Sequence, residues 1–297
     1  MHHYRTSWLR VDLLCGAATQ RVLTQAVRPY VTTVIQTGVA DGWHFERIRW
    51  GKVLRLHFRG NQGFVRELLR DNAREHFTNY FDHDPVFDRL SDYGVLECIV
   101  EERPETTLSD YLTHRFQYGL SDLLLGEHAP DRTPTVGDLL TAAFQIHLTT
   151  VRALGWSRAD AAAHFRTLLR DTQRERGHYH NRTFRQTFER EVQEVRSFVS
   201  AYWDTLATAN ERPALHDWAT LVGAMQRARQ NDPLLSRQPL LDFWSPQLRR
   251  INNGLGIFGK NEQYLFFQLA ESLSDVPTPV LPKPSLNLAE RLLRWVS

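Results

Sequence analysis

Arg55, His57 and Arg59 alternate with Leu54, Leu56 and Phe58 in the run LRLHFRG. That run is the second half of Trp43 to Gly60, which reads as two β-strands joined by a short connection at Trp50-Gly51-Lys52. Side chains alternate across a strand, so one face is expected to carry two guanidinium groups around an imidazole while the other is apolar. Such a polar face can hold an anion or a polar peptide, or can move protons near neutral pH. The same spacing also describes the solvated face of an antiparallel sheet. Arg47 and Arg49 on the first strand complete this group.

A second group lies in Ser245 to Leu269, SPQLRRINNGLGIFGKNEQYLFFQL. A helix carrying Arg249, Arg250 and Asn253 runs into a break at Gly254-Leu255-Gly256, and another begins near Asn261. Glu262 in its first turn suits the helix dipole, and Tyr264 follows. Asn253 and Glu262 read equally well as caps. Other polar runs carry less. GHYHN, Gly177 to Asn181, has two histidines but too few ligands for zinc and reads as a capping turn. Arg158 to Arg190 is arginine-rich but interleaved with Asp160, Asp171, Glu175 and Glu189, which describes a salt-bridged helix surface. There is no P-loop, dinucleotide fingerprint, HExxH or nucleophile elbow. No metal or other cofactor is expected.

The elements that must position these groups follow from periodicity. Ser7–Leu14 reads as a strand, Ala17–Thr37 as a helix kinked at Pro29, with Gly38 at its C-cap. After the hairpin, Asn61 caps a helix to about Asn79. Tyr80–Tyr93 is irregular and Gly94–Glu101 is a strand. Strand, helix, two strands, helix, strand is an α+β pattern with a small, mostly antiparallel, ferredoxin-like sheet. It is expected to pack with a large helical remainder. That remainder comprises Leu108–Leu125, Val136–Leu154, a Ser157-capped helix to Arg176, Thr183–Leu206, Ala214–Arg229, Asp242–Leu255 and Asn261–Leu273. Asp275–Pro284 is an extended strap and Leu286–Val296 a short helix. One unit is expected, with 1–104 sheet-rich, 105–275 helical and 276–297 closing the chain.

Composition narrows the partners. The 297 residues are 42% hydrophobic and 24% charged, and 36 basic residues nearly balance 34 acidic ones. A net charge of +2 calls for no polyelectrolyte, so no nucleic-acid partner is expected. Cys15 and Cys98 supply neither a zinc ribbon nor a disulfide framework and point to a reducing cytoplasm. No apolar run approaches the ~20 residues of a membrane helix. MHHYRTSWLR lacks the apolar core of a signal peptide. No membrane association is expected.

WLRVDLLCG, VADGWHFERI and LRLHFRG at the front of the chain resemble the C-terminal domain of lanthipeptide dehydratases. The same domain occurs as stand-alone proteins in thiopeptide biosynthesis. The family pattern reads roughly W-F-x-R-Y, then H-x-R-x-R-F-x-G, and much later H-M-x-x-N-R-L-G followed by E-x-x-L. Here the later part is Arg249 to Gly256, then Glu262 to Leu265. In the dehydratases this domain eliminates glutamate from glutamylated Ser or Thr, using hairpin arginines and the later histidine. This chain keeps the first arginine as Arg55. Val53 stands for the hairpin histidine, His57 for the second arginine, Arg249 for the later histidine and Gly254 for the arginine after Asn253.

Thiopeptide pyridine synthases are built on the same domain, and these replacements turn the resemblance toward them. The implied activity joins two dehydroalanines of a precursor peptide by a formal [4+2] aza-cycloaddition. Water and the leader peptide are lost, leaving a pyridine in a macrocycle, and no cofactor is implied. For that chemistry His57 and Tyr264 are expected to exchange protons, with Glu262 and Asn253 orienting the substrate. Arg55 and Arg249 would polarise carbonyls, and Arg47 or Arg10 would touch the leader beside the sheet. The hairpin's basic face is expected to look toward Arg249–Tyr264. The partners implied are the precursor peptide, core and leader, and other enzymes of the pathway. Two alternatives stay open: a glutamate-elimination lyase, and a non-catalytic leader-binding subunit.

Overall fold

The computed structural model describes residues 6–84, 86–87, 93–102, 107–127, 135–176, 181–206 and 213–274. The chain divides into two compact units, 1–133 and 134–297. In the first, β1 (Thr6–Leu14) leads into α1 (Thr19–Val22) and α2 (Arg28–Gln36), with a π turn at Leu23–Val27 between them. The hairpin is β2 (Gly42–Ile48) and β3 (Val53–Asn61). Then come α3 (Gln62–Phe64), a second π turn at Val65–Leu69, α4 (Arg70–His83), β4 (Gly94–Glu101) and α5 (Leu108–Glu127). The strands order β2-β3-β1-β4 and every pair is antiparallel, which is the expected ferredoxin-like arrangement.

Alternation sorts the two faces of the sheet. Leu9, Val11, Leu13, Leu54, Leu56 and Phe58 are all wholly buried. Phe58 meets Tyr30 of α2 edge-on at 5.5 Å, and Tyr30 meets Phe77 of α4 at 5.1 Å. Pro29 does not break its helix. It sits in the first turn of α2, directly after the π turn that absorbs the missing N–H. Asn61 caps as expected, its side chain accepting from the Gly63 N–H at 2.9 Å. The hairpin turn is one residue wider than expected: Arg49, Trp50 and Gly51 all take left-handed φ values of 51°, 58° and 82°. Consecutive left-handed residues match the twist of the flanking strands.

Gly60 ends the apolar half of β3 where no side chain fits. A Cβ there would lie 2.7 Å from the Val39 carbonyl oxygen and 3.2 Å from the Val65 side chain. Gly60→Ala is therefore expected to destabilise the fold by about 1–3 kcal/mol, seen as a lower urea midpoint with unchanged slope. An unshifted midpoint would count against this packing.

The second unit is helical. It comprises α6 (Val136–Ala153), α7 (Arg158–Arg176), α8 (Asn181–Thr205), α9 (Pro213–Asn231), α10 (Leu240–Leu255) and α11 (Lys260–Leu273). The Thr135 hydroxyl accepts from the Asp138 N–H while the Asp138 carboxylate accepts from the Thr135 N–H, closing a capping box on α6. Ser157 and Asp160 repeat this at α7. Residues Glu262 to Ala270 of α11 are all buried, and α7 supplies its main packing partner. Among the described residues no helix is long and apolar enough to cross a membrane. The strap Asp275–Pro284, the helix Leu286–Val296 and the histidines of Gly177–His180 lie outside the described residues.

Candidate functional site

Cross-strand register assembles the polar face of the sheet residue by residue. Asp12 pairs with Arg55, Arg10 with His57, His44 with His57 and Glu46 with Arg55. Directly opposed residues share a face. So Trp8, Arg10, Asp12, His44, Glu46, Arg55, His57 and Arg59 form one surface, which α5 covers along the β2 edge. The Ser121 hydroxyl accepts the Phe45 N–H at 3.1 Å, occupying a donor of that edge strand. Gln117 donates to the Glu46 carboxylate at 3.0 Å.

The centre of this face is a histidine stack. The His44 and His57 rings lie parallel, 4.5 Å apart and 20° from coplanar, and both residues are only 2% exposed. Trp8 meets His44 edge-on at 5.6 Å, and His114 and Tyr118 of α5 continue the layer at 6.3 and 5.9 Å from His44. Around it the basic stripe is charge-paired. Arg55 donates to both oxygens of Asp12 at 2.8 and 2.7 Å, a contact that holds its guanidinium above its ordinary value. Arg10 bridges Glu97 at 2.5 Å and Glu101 at 2.8 Å, and Arg59 holds Asp41 at 2.7 Å while lying over the Tyr118 ring. A half-buried guanidinium needs a carboxylate, and β1 and β4 supply them. Asp12→Ala would leave Arg55 and Arg10 short of a partner. A loss of about 1–3 kcal/mol is expected by urea unfolding, and an unchanged midpoint would refute that role.

Arg47 departs from the expected group. Its register partner is Leu54, so it faces the apolar side, where it is buried and donates to Gln20 at 3.0 Å. Burial pulls its guanidinium down to about 10, and burial pushes the nearby Cys15 thiol up to about 12. Arg49 is exposed at the turn. The hairpin group of Arg47, Arg49, Arg55 and His57 is thus split across two faces and a tip.

In the second unit, Arg249 donates to both oxygens of Glu175 at 2.8 and 2.6 Å, and its Nε lies 4.0 Å from the carboxylate of the buried Glu262. The Glu175 hydrogen bonds come first among the causes that raise its guanidinium. A cavity of about 290 Å³ opens beside them, lined by Asp171, Glu175, Ser245 and Arg249 among others. Asn253 lies half-buried in the last turn of α10, which continues through Gly254 and ends at the left-handed Gly256, φ 78°. The helix thus ends at Leu255 as expected, with Gly256 of the Gly254-Leu255-Gly256 run as its left-handed cap. Tyr264 is buried and stacks in parallel on Phe267 at 6.4 Å. Two residues is about 200° around a helix, so Tyr264 and Glu262 point to different sides of α11.

Sequence reasoning passed over His44, Glu46 and His114 on the sheet. Counting back from the hairpin turn gives the His44–His57 pairing, which was the available signal. It also passed over His147, Asn252 and His164 in the helical unit. His147 Nε2 lies 2.8 Å from Asn252 Oδ1, and both residues are wholly buried. No sequence spacing links two such distant residues.

A ferredoxin-like sheet bearing a histidine-centred, charge-paired face, followed in the chain by a bundle of six helices among the described residues, defines an α+β protein of mixed layers. The chain belongs to the lantibiotic biosynthesis dehydratase C-terminal family, whose match runs over residues 8–266. No curated protein matches it in sequence. Its fold is similar to the pyridine synthase TbtD from thiomuracin biosynthesis, at 19% identity over 92% of this chain and 98% of that one, with a TM-score of 0.67. It is also similar to the tRNA-dependent lantibiotic dehydratase MibB from Microbispora sp. 107891, at 14% identity, TM-score 0.63, over 90% of this chain but only 28% of that protein. TsrL matches at 13% identity over 90% of this chain and 94% of its own length, with a TM-score of 0.58. At these identities the likeness establishes a shared fold.

Proposed function

We propose that this chain acts in the biosynthesis of a ribosomally made, modified peptide by closing a pyridine ring between two dehydroalanines of its precursor. The observation that carries this reading over glutamate elimination is the pairing of Arg55 with Asp12. The hairpin arginine retained from the elimination pattern is already bound to a carboxylate, so it is a poor receiver for a glutamyl carboxylate. Val53, Arg249 and Gly254 replace other groups of that pattern. The near full-length likeness to a pyridine synthase supports the same choice.

The reaction first brings two distant dehydroalanines together, against a loop-closure entropy that grows slowly with loop length. Holding them in near-attack geometry replaces a bimolecular encounter, with effective molarities on the order of 10⁵ M or more. One backbone amide tautomerises to an azadiene, so a donor is needed at its carbonyl oxygen and a base at its N–H. After ring closure a hydroxyl leaves as water and the leader departs as an amide, each taking up a proton. His57 and Tyr264 are assigned these proton transfers, Glu262 and Asn253 the orientation of the peptide. Arg55 and Arg249 polarise carbonyls with the guanidinium donors that Asp12 and Glu175 leave over. Arg10, on the polar face of the sheet, serves the leader, a role that burial on the opposite face takes from Arg47. The two free cysteines are both buried, which suits a reducing cytoplasm.

Mass spectrometry on two substrates tests this. A bis-dehydroalanine precursor should lose water and release its leader as an amide. A glutamylated precursor should be left intact. Dehydroalanine with free glutamate from the second would overturn the reading in favour of a lyase, and binding without turnover of either would leave a leader-binding subunit.

A further inference from the structure

We propose that His44, Glu46 and His57 form a binding site for one divalent transition-metal ion of the zinc class. One ligating atom from each of these three residues lies within 4.8 Å of the other two. The arrangement follows from the backbone. His44 and Glu46 are i and i+2 on β2, so they share a face, and His57 is the register partner of His44 on the antiparallel β3. Three donors on two adjacent strands are held by the sheet itself and do not depend on a loop. Two imidazoles and a carboxylate suit zinc, cobalt or nickel better than magnesium or calcium, which take all-oxygen shells.

The surroundings fit a ligand set. Both histidines are only 2% exposed, with Trp8 edge-on to each and Tyr118 beside His44, so bulk water competes little for their donors. Gln117 fixes one oxygen of Glu46 from α5, the kind of outer contact that orients a ligating carboxylate. Two cations share this face, Arg55 opposite Glu46 and Arg10 opposite His57. Carboxylates already pair both, Asp12 the first and Glu97 with Glu101 the second. A tetrahedral ion with Zn–N near 2.0–2.1 Å needs donors about 3.3 Å apart. Binding therefore requires the two stacked rings to turn on χ2 and the donors to close by an ångström or so, with the strands unmoved. Three protein ligands leave a fourth position for water or a substrate atom.

This inference is read by binding and not by turnover. An ion on His57 would occupy a ring nitrogen that the pyridine reading uses for proton transfer, so metal loading should lower that activity while its absence leaves the pyridine reading untouched. The full chain, first stripped with a chelator, would be titrated with Co²⁺ and followed by the visible d–d absorption of four-coordinate cobalt. The signal should saturate at one equivalent and be displaced by Zn²⁺. His44→Gln and His57→Gln should each weaken binding by about 100-fold or more, and Glu46→Gln by about 10-fold. Circular dichroism of the metal-free variants checks that they fold, and Glu46→Gln, the least buried of the three, keeps the test alive if a histidine variant does not. His2→Ala with His3→Ala, and the exposed His83→Ala, should bind as the parent does. An unchanged pink six-coordinate cobalt spectrum, or equal affinity in the Glu46 variant and the parent, overturns the site. Loss of the signal in the His2/His3 variant alone overturns it as well.

Discussion

Replacing His57 with alanine is expected to lower turnover of a bis-dehydroalanine substrate by about 10²-fold or more, and Tyr264→Phe by a similar factor. The expectation is tied to the proposed proton transfers and to where each side chain lies. His57 is 2% exposed in a stack with His44, so a water molecule entering the space left by truncation would not reproduce a base held at a fixed angle. Tyr264→Phe is the cleaner experiment. It keeps the ring that stacks on Phe267 and removes only the hydroxyl, so packing in α11 is preserved. His57→Ala removes an imidazole from a packed layer and needs a control for stability. His57→Asn keeps polarity and roughly half the volume. If the alanine variant is slow because it is unfolded, the asparagine variant regains structure by circular dichroism and regains rate with it. If proton transfer is the cause, the structure returns and the rate does not. Full rate in both His57→Ala and Tyr264→Phe removes these two residues from the mechanism.

Legibility in the sequence followed the range of the interaction. Helix bounds came within one or two residues for α5, α6, α7, α10 and α11 because 3.6-residue periodicity and caps such as Thr135, Ser157 and Gly256 are local signals. The sheet order was legible because strand, helix, strand, strand, helix, strand admits few antiparallel closures. The site was legible only in part. LRLHFRG predicts which residues share a face, and Leu54, Leu56 and Phe58 are indeed wholly buried. It does not predict what the neighbouring strands place opposite them. Asp12 neutralising Arg55, and Glu97 with Glu101 neutralising Arg10, depend on pairings across 43, 87 and 91 residues. A basic stripe in the sequence thus became a charge-paired surface in the fold. Arg47 is the instructive case. Its odd-numbered place in β2 already puts it opposite Leu54 once the register is known, and a shift of one residue moves a side chain to the other face.

The helical unit carries a liability that should show as acid sensitivity. His147 is wholly buried and its ring is pulled down to about 4, first by burial, with the neighbouring His164 adding to the effect and the Asn252 contact opposing it. With an amide oxygen facing Nε2, the ring is the Nε2–H tautomer, and its Nδ1 is buried without a hydrogen bond among the described residues. His164, 2% exposed against the edge of Trp156, is also pulled down to about 4 by burial. Neither of its ring nitrogens has a hydrogen bond among the described residues. Above pH 6.5 both histidines are neutral whether the chain is folded or unfolded, so they give stability no slope there. Between 6.5 and about 4 the unfolded chain takes up protons that the folded one refuses, and stability must fall as pH falls. Each histidine contributes at most about 1.4 kcal/mol per pH unit in that window, or about 3 kcal/mol per ring across it. For a typical domain stability of about 5–15 kcal/mol, two such groups are enough to matter. Urea unfolding at half-unit steps from pH 7.5 to 4.5 measures the slope, and carboxylates elsewhere add to it at the acid end. The comparison that isolates His164 is His164→Leu, which puts an apolar side chain of similar size in place of the titrating ring. Its stability should fall less steeply than the parent's by about 1 kcal/mol per unit between pH 6 and 4.5. Parallel curves for the two proteins would mean that these buried rings take up protons as readily folded as unfolded.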